Sequence, residues 1–252
     1  MSDQSAPKWT ELEHLPEWDE PFYDVYTGKK YGKWVMLKTL KPQFSDDPVY
    51  RSMIEKEFDV RYNLAHPNIV MINDFEEVPG VGMCIITDDV YGDSLKKLLS
   101  QGKVDESVLH KVMTSLVDAL DYIQKNHIVH HSISPSTIIF TENIGNLKLI
   151  DVGFDQLDHL THDDTARDIA DFGSILGQVL DALPEKYPHL RRVAERCADP
   201  RPQKRYHDIQ DLKMALANRS NNRLYIIIIT FLVLMVAVLG WLIANPRTPV
   251  TE

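Results

Sequence analysis

The spacing of apolar residues in the first third of the chain predicts a small sheet with one helix. Residues 31–40 (YGKWVMLKTL) are rich in β-forming side chains and predict a strand, and residues 69–78 and 82–90 predict two more. Between them, Ile54 and Phe58 belong to an apolar stripe with the period of a helix. The chain thus begins with a β-rich unit.

The apolar spacing in the rest of the body is mostly helical. Residues 105–126 carry one broad apolar face behind Asp105, which is suited to cap the helix. Short apolar runs at 137–140 and 147–150 predict a hairpin. Three more amphipathic helices are expected at residues 167–183, 187–198 and 206–218. The pattern indicates an α+β fold with a small β-rich lobe on a larger helical lobe.

The C-terminal region contains a long uncharged stretch, Leu224 to Ala244, with the sequence LYIIIITFLVLMVAVLGWLIA. At about 1.5 Å per residue, a helix of this length covers the roughly 30 Å hydrocarbon core of a bilayer. Tyr225 and Trp241 stand near its ends, where amphipathic rings prefer to lie. We therefore expect one C-terminal transmembrane helix.

The charges beside this stretch predict its orientation. Lys213, Arg219 and Arg223 precede it, whereas only Arg247 follows. By the positive-inside rule, the N-terminal domain is expected in the cytoplasm, attached to the membrane by a single span.

Composition narrows the choice of partners and compartment. The chain has 252 residues, 44% of them hydrophobic, and a formal net charge of −10, so its surface is expected to repel nucleic acid. Cys84 and Cys197 are far apart in apolar surroundings, which indicates buried, reduced thiols and suits the cytosol. The first residues lack the apolar core of a signal peptide.

Six short motifs follow one another in a recognisable order: WVMLK, EKEFDVRYNLAHPNIV, IITDDVYGDSL, DVGF, DIADFG and RCADPRPQKRY. Their order and the elements that carry them resemble the protein kinase fold, from about residue 22 to residue 217. The resemblance implies a bilobal protein-kinase-like fold with a β-rich N-lobe and a helical C-lobe, followed here by the transmembrane helix.

The resemblance also implies roles for residues of the N-lobe. Lys38 stands where the kinase lysine holds the nucleotide phosphates, and Glu57 where its ion-pair partner lies. Thr87 takes the gatekeeper position, and Asp88 to Val90 the hinge whose backbone meets an adenine. ATP and Mg²⁺ are the cofactors that this set would allow, without any being certain.

In the C-lobe, the resemblance places Asp151 of DVGF at the magnesium position. Asp168 corresponds to the aspartate that supports the catalytic loop. Arg205 corresponds to the hallmark arginine in the closing segment of the kinase domain. The glutamate that usually pairs with this arginine is missing here, so another acid of the helical lobe is a candidate partner.

The catalytic loop itself, IVHHSISPSTIIF, departs from the kinase pattern H-R-D-L-x-x-x-N. Ser132 stands at the position of the catalytic base, Thr137 at that of the metal-binding asparagine, and Ser134 replaces the usual lysine. A serine hydroxyl is not a base at neutral pH, and threonine is a poor magnesium ligand. His131 is an unfavourable substitute for the catalytic base, because a side chain at its position in the kinase loop points away from the substrate. His130 is best interpreted as a packed structural histidine, not as a metal ligand.

Two further kinase features are missing from the sequence. The region before Lys38 that should carry a glycine-rich phosphate loop has no glycine ahead of Gly28 and instead carries acids at Glu17, Asp19 and Glu20. Only fourteen residues separate Gly153 from Asp168, with no A-P-E motif. Each lost contribution to phosphoryl transfer costs about 10² to 10³ in rate, so several together predict an inactive site.

These observations lead to one hypothesis and leave three alternatives open. The main hypothesis is a membrane-anchored pseudokinase that binds an unidentified protein partner as a scaffold or allosteric module. The alternatives are an atypical ATP-dependent serine/threonine protein kinase, a nucleotide-gated binder, and a purely structural role for Lys38, Glu57 and Asp151. The expected organisation begins with an irregular N-terminal segment (1–21), the N-lobe (22–90) and the C-lobe with a shortened activation segment (91–217). A linker (218–223), the transmembrane helix (224–244) and a short tail (245–252) follow.

Overall fold

The chain folds into a β-rich lobe followed by a helical lobe, as the apolar pattern predicted. The computed structural model describes residues 7–130, 133–142, 145–150, 155–156, 159–217 and 228–237.

A five-stranded antiparallel sheet forms the first lobe, in the order β1-β2-β3-β5-β4. Its strands are β1 (Trp9–His14), β2 (Tyr23–Lys30), β3 (Lys33–Leu40), β4 (Ile72–Val78) and β5 (Gly82–Asp88). Tyr31 and Gly32 join β2 to β3 with φ angles of 50° and 82°, the left-handed pair that a tight hairpin turn requires. The strand expected at 31–40 therefore begins only at Lys33, after the turn.

The N-terminal segment expected to be irregular, residues 1–21, instead supplies strand β1, which pairs with β2. Only Trp9 and Thr10 of this strand are partly buried, and the rest is exposed. An edge strand with one short buried stretch leaves little apolar alternation in the sequence, so periodicity did not reveal it.

The helix of the first lobe, α1, spans Pro48–Tyr62. Asp47 caps it by accepting the backbone N–H of Val49 at 2.8 Å, and Pro48 occupies the first turn, where no N–H is needed. Its buried face carries two apolar residues, Ile54 and Val60, and two charged ones that belong to the site described below.

The helical lobe contains α2 (Leu95–Ser100), α3 (Glu106–Lys111), α4 (Val117–Lys125), α5 (His162–Ala182), α6 (Pro188–Cys197) and α7 (Ile209–Ala217). The predicted helix at 105–126 is interrupted by a π-helical turn at Val112–Leu116, and Asp105 caps it through Val108 N–H at 2.9 Å. Helix α5 begins five residues ahead of the predicted start, because Thr161 and Asp164 form a reciprocal capping box.

Two small sheets complete the helical lobe beneath the first one. Strands β6 (Gly92–Ser94), β8 (Ile138–Thr141) and β9 (Leu147–Leu149) form one sheet, and β7 (Ile128–Val129) pairs with β10 (Asp155–Gln156). The predicted hairpin is β8–β9, with Ile138 opposite Leu149.

Each lobe buries one of the two cysteines completely, Cys84 in β5 and Cys197 at the end of α6. Burial raises the pKa of both thiols to about 12. The interpretation as inert, reduced cysteines fits this placement.

Part of the expected membrane span lies in helix α8, residues 228–237, whose side chains are all exposed. Within the part of the chain that the structure describes, no helix is long and apolar enough to cross a membrane. Residues 224–227 and 238–244 of the expected span lie outside the described residues.

Candidate functional site

A cavity of about 390 Å³ lies between the two lobes. Strands and loops of the β-rich lobe supply most of its lining, and Ile139 and Ile150 of the helical lobe complete it. This volume is within the range of sites that hold small organic ligands. The cleft is therefore the candidate site, and the sequence-predicted residues can be located around it.

Lys38 of β3 lines the cavity, and in the sheet it is paired with Val25 of β2 and Ile85 of β5. Its Nζ is 2.8 Å from Oε1 of Glu20 and 3.3 Å from Oε1 of Glu57, and its side chain is only 9% exposed. The ammonium is thus shared between two carboxylates from different elements.

Helix α1 presents Glu57 to Lys38 and adds a second cation one turn later. Glu57 is fully buried, and Nη1 of Arg61 lies 2.8 Å from the same Oε1 that faces Lys38. Arg61 is itself 3% exposed. Two buried cations therefore hold one buried carboxylate, and the cost of desolvating each charge is offset by its partners.

Tyr23, at the start of β2, packs against this group of charges. Lys38 Nζ lies 4.3 Å from the centre of the Tyr23 ring, within the range of a cation–π contact. Burial, followed by the negative charge of Glu57, raises the pKa of the Tyr23 hydroxyl well above its usual value. The hydroxyl is therefore neutral and does not compete with Glu57 for the cations.

The loop between β1 and β2, residues 15–22, brings Glu20 into the cleft. Asp19 accepts the backbone N–H of Val25 at 2.9 Å and lies 3.0 Å from Nε2 of His14. The backbone N–H of Glu20 donates to Tyr23 O at 3.0 Å. These contacts fix the backbone of the loop, and the ion pair with Lys38 holds the Glu20 side chain in the cleft.

His14, Asp19 and Asp24 bring their ligand atoms within 4.8 Å of one another at the base of this loop. Burial alone would raise the pKa of Asp19. The hydrogen bonds from Val25 N–H and His14 outweigh this effect and hold the pKa below its ordinary value. The cluster is accounted for by these contacts, which close the loop.

The expected hinge lies along the upper edge of the cavity. Thr87, Asp88 and Val90 all line it. The Asp88 carboxylate is turned to Lys33 at 2.7 Å and Asn73 at 2.9 Å, and these partners outweigh burial and lower its pKa. Because the Asp88 carboxylate is engaged in this way, contacts between the hinge and a ligand are left to its backbone and to the side chains of Thr87, Asp89 and Val90.

Below the cavity, His130 and Asp168 connect the catalytic-loop segment to helix α5. His130 is 1% exposed, its backbone N–H donates to Oδ2 of Asp168 at 2.9 Å, and its Nε2 lies 3.3 Å from Ile150 O. This placement agrees with a packed histidine. His131 and Ser132, together with Asp151, lie outside the described residues.

Thr137, at the expected metal-ligand position, uses its hydroxyl inside its own loop. The hydroxyl donates to Ser134 O at 3.0 Å and accepts the backbone N–H of Ser134 at 3.0 Å. Both contacts close a local turn. With Thr137 engaged in this way and Glu20 on Lys38, the described residues do not fit a magnesium-bound triphosphate.

Asp171 of α5 was not identified from the sequence, although it contacts the same loop. Its carboxylate accepts the backbone N–H of Ile133 at 3.2 Å. Burial, together with the nearby charge of Asp168, raises its pKa to about 6. The only sequence signal was its position three residues after Asp168, one helical turn further on.

Arg205 does not line the cavity, and its hydrogen bonds within the described part of the chain are with backbone carbonyl groups. Its guanidinium donates to the backbone oxygens of Asp199 and Ala166, each at 2.8 Å. It thus joins the last loop of the helical lobe to helix α5 through carbonyl groups, which suits the several donors of arginine.

Comparison with solved structures supports the fold alone. The crystal structure of the PknI kinase domain of Mycobacterium tuberculosis superposes with a TM-score of 0.62 and 20% sequence identity, over 84% of this chain and 96% of that domain.

Curated relatives match about half of the chain. Serine/threonine-protein kinase 36 of Pongo abelii is 31% identical over 135 residues, which cover 53% of this chain and 10% of the relative. Serine/threonine-protein kinase PknD of Mycobacterium tuberculosis is 32% identical over 123 residues, or 47% of this chain and 18% of the relative. The chain thus spans less than a fifth of the length of these kinases. The model of the protein kinase domain matches residues 22–173, more than half of the sequence, and the chain therefore belongs to the protein kinase domain family.

Proposed function

We propose that this chain is a pseudokinase, a kinase-fold binding module that does not transfer phosphate. The observation that carries the proposal is Thr137, whose hydroxyl closes a turn on Ser134 at the position where the kinase pattern has a metal-binding asparagine. The sequence adds Ser132 at the position of the base. A kinase site without a base and without its second metal ligand lacks the main sources of positioning and charge stabilisation.

A phosphoryl-transfer assay tests this proposal. The full chain, purified in detergent, is incubated with Mg²⁺, radiolabelled ATP and casein, beside the Asp151→Asn variant and an active serine/threonine kinase. We expect wild type and variant to incorporate equally little label. Incorporation by the wild type that Asp151→Asn abolishes would contradict the proposal.

An atypical ATP-dependent protein kinase is the second candidate, and the Lys38–Glu57 pair favours it. The two side chains lie 3.3 Å apart, as a nucleotide-holding pair would require. In that case Lys38→Met and Asp151→Asn would each abolish transfer. The same pair also serves as a buried link between β3 and α1, and this second role needs no nucleotide.

The proposal includes a membrane anchor at Leu224 to Ala244, with the kinase-like body in the cytoplasm. Support comes from the uncharged sequence and from helix α8, in which large apolar side chains such as Phe231 and Leu234 are more than half exposed. Extraction of cell membranes at alkaline pH tests it. The full chain should stay with the membranes, and a chain lacking residues 224–244 should be released.

The proposed activity of the body is to bind a protein partner at the inner membrane surface. Tethering raises the effective concentration of both proteins, so a weak contact is sufficient there. The net charge of −10 argues against nucleic acid as the partner. Crosslinking in cells, with the chain lacking residues 224–244 as the control, should enrich a membrane-associated protein only with the anchored form.

A further inference from the structure

We propose that the cleft prefers an uncharged, flat heteroaromatic ligand of the nucleoside type over a nucleoside triphosphate, and that Glu20 sets this preference. The inference deepens the proposed function, because it names the ligand class of the same cleft. It rests on the arrangement around Lys38 and not on the state of the catalytic loop.

The first argument is that the cations of the cleft are already neutralised. Lys38 and Arg61 are the only cationic side chains among the described residues that line the cavity. Both contact Oε1 of Glu57, and Lys38 also contacts Oε1 of Glu20 at 2.8 Å. An incoming phosphate would therefore meet two carboxylates at the cation it needs.

The second argument is that hydrogen bonds hold the backbone of the loop that carries Glu20 beside Lys38. Leu15 N–H donates to Val25 O at 2.8 Å, Trp18 N–H to Leu15 O at 2.9 Å, and Glu20 N–H to Tyr23 O at 3.0 Å. The loop contains no glycine that would offer its amides to phosphate. A phosphate would therefore reach Lys38 only after the Glu20 side chain rotates away and its 2.8 Å ion pair with Lys38 is lost.

The third argument is the character of the remaining wall. Trp18, Val25, Met36, Val70, Ile85 and Ile139 make it apolar. Glu13 and Asp89 add acidic groups to its lining. An apolar slot about 390 Å³ in volume, with hinge backbone at one edge and acids at its border, suits an uncharged aromatic ring and disfavours a polyanion.

Adenosine and ATP are the matched probes, since they share the ring and differ in the phosphates. Binding of each to the full chain in detergent micelles is measured by isothermal titration calorimetry, without Mg²⁺ and then with it. We expect the wild type to bind adenosine at least about tenfold more tightly than ATP, because like charges in a partly buried site repel strongly.

The variant Glu20→Gln tests whether the charge of Glu20 sets the ligand preference. The amide keeps the size of the side chain and removes its charge, so ATP affinity should rise about tenfold or more while adenosine affinity stays within about twofold. Glu17→Gln is the control, because Glu17 lies exposed in the same loop. This variant removes the same charge but leaves the contact between Glu20 and Lys38 intact. It should change neither affinity by more than about twofold.

Several results would overturn the inference. The first is tighter binding of ATP than of adenosine by the wild type. The second is an equal change in ATP affinity in Glu20→Gln and Glu17→Gln. The third is that neither probe binds the wild type or Glu20→Gln. The thermal midpoint of each variant shows that it is folded. The outcome is separate from the phosphoryl-transfer assay, since a chain that transfers no phosphate could still prefer either probe.

Discussion

Asp168 accepts the backbone N–H of His130 across 38 positions of the sequence, at 2.9 Å and out of contact with solvent. The carboxylate thereby fixes the start of the catalytic-loop segment on helix α5. Since an ionised carboxylate is a strong acceptor, this hydrogen bond stabilises the fold more than a bond of the same length between neutral groups would.

Replacing Asp168 should therefore destabilise the helical lobe. Asp168→Ala leaves the buried N–H of His130 without this acceptor, and we expect a loss of about 2–4 kcal/mol in the free energy of unfolding. Urea unfolding of the full chain, followed by circular dichroism, measures it. Asp181→Ala on the same helix removes an exposed carboxylate and should cost less than about 1 kcal/mol. Equal losses would refute the assigned role of Asp168.

The carboxylate of Glu57 should stabilise the β-rich lobe for a related reason. Glu57→Gln keeps the shape but leaves the buried Arg61 beside an uncharged neighbour and removes one of the two carboxylates on Lys38, which we expect to cost about 3–5 kcal/mol. The control is Glu55→Gln, an exposed position on the same helix. A urea midpoint for Glu57→Gln as high as that of the control would show that the charge is not needed.

Two glycines of helix α5 should respond to alanine in opposite directions. A Cβ on Gly173 would lie 2.4 Å from Cys197 Cβ and 2.8 Å from Ala194 O, so Gly173→Ala forces α5 away from α6 and should cost about 1–3 kcal/mol. A Cβ on Gly177 meets nothing within 4 Å, and Gly177→Ala should stabilise the helix by about 0.5–1 kcal/mol. Thermal unfolding of the two variants compares them, and a stable Gly173→Ala protein would contradict the close α5–α6 contact.

His162 should make the stability depend on pH above about 6.5. Its Nδ1 and Nε2 each lie 3.0 Å from a carbonyl oxygen, those of His207 and Pro202, and only the imidazolium can donate to both. These two bonds raise the pKa of His162 above its usual value, with Asp163 assisting and Arg205 opposing. Its contribution is therefore complete below pH about 6.5 and is lost as the pH rises through the raised pKa.

The measurement is the urea midpoint from pH 5 to pH 9 for wild type and His162→Gln. The wild type should lose stability over this range more steeply than the variant. His207→Gln is a suitable control, because the His207 ring donates no comparable pair of hydrogen bonds within the described part of the chain, and its backbone oxygen remains available to His162. Parallel curves for all three proteins would exclude the doubly donating imidazolium.

Asp171 should act in a lower pH range. Because burial and the charge of Asp168 raise its pKa to about 6, the folded state holds this proton more tightly than the unfolded chain does. Its contribution is then greatest below pH about 4 and is lost as the pH rises to about 6, by an amount on the order of 1 kcal/mol after solvent screening. Asp171→Asn should remove this slope between pH 4 and pH 6, and an unchanged slope would contradict the raised pKa.

The elements that sequence reasoning located are those with a long apolar period. The stripe at Ile54 and Phe58 became α1, and the face behind Asp105 became the π-interrupted helix of the second lobe. Strand β1 was missed because an edge strand buries too little to leave a pattern. The turn at Tyr31 and Gly32 was read as part of a strand, since tyrosine itself is a β-former.

The charged group in the cleft was predicted only in part. The family motifs indicated that Lys38 and Glu57 should meet, and they are in contact, while their role toward a nucleotide stays a prediction. Arg61 follows Glu57 at the spacing of a helical ion pair, a signal that was present and not used. The contact of Glu20 with Lys38 could not be foreseen, because it depends on loop hydrogen bonds that leave no periodicity.

The two cysteines provide one internal reporter for each lobe. With its pKa near 12 and no solvent exposure, neither thiol can react with a maleimide until the lobe that contains it opens. Alkylation of Cys84 therefore records the opening of the sheet, and alkylation of Cys197 that of the helices. Two labelling rates from one reaction would report whether the lobes open as a single cooperative unit or one before the other.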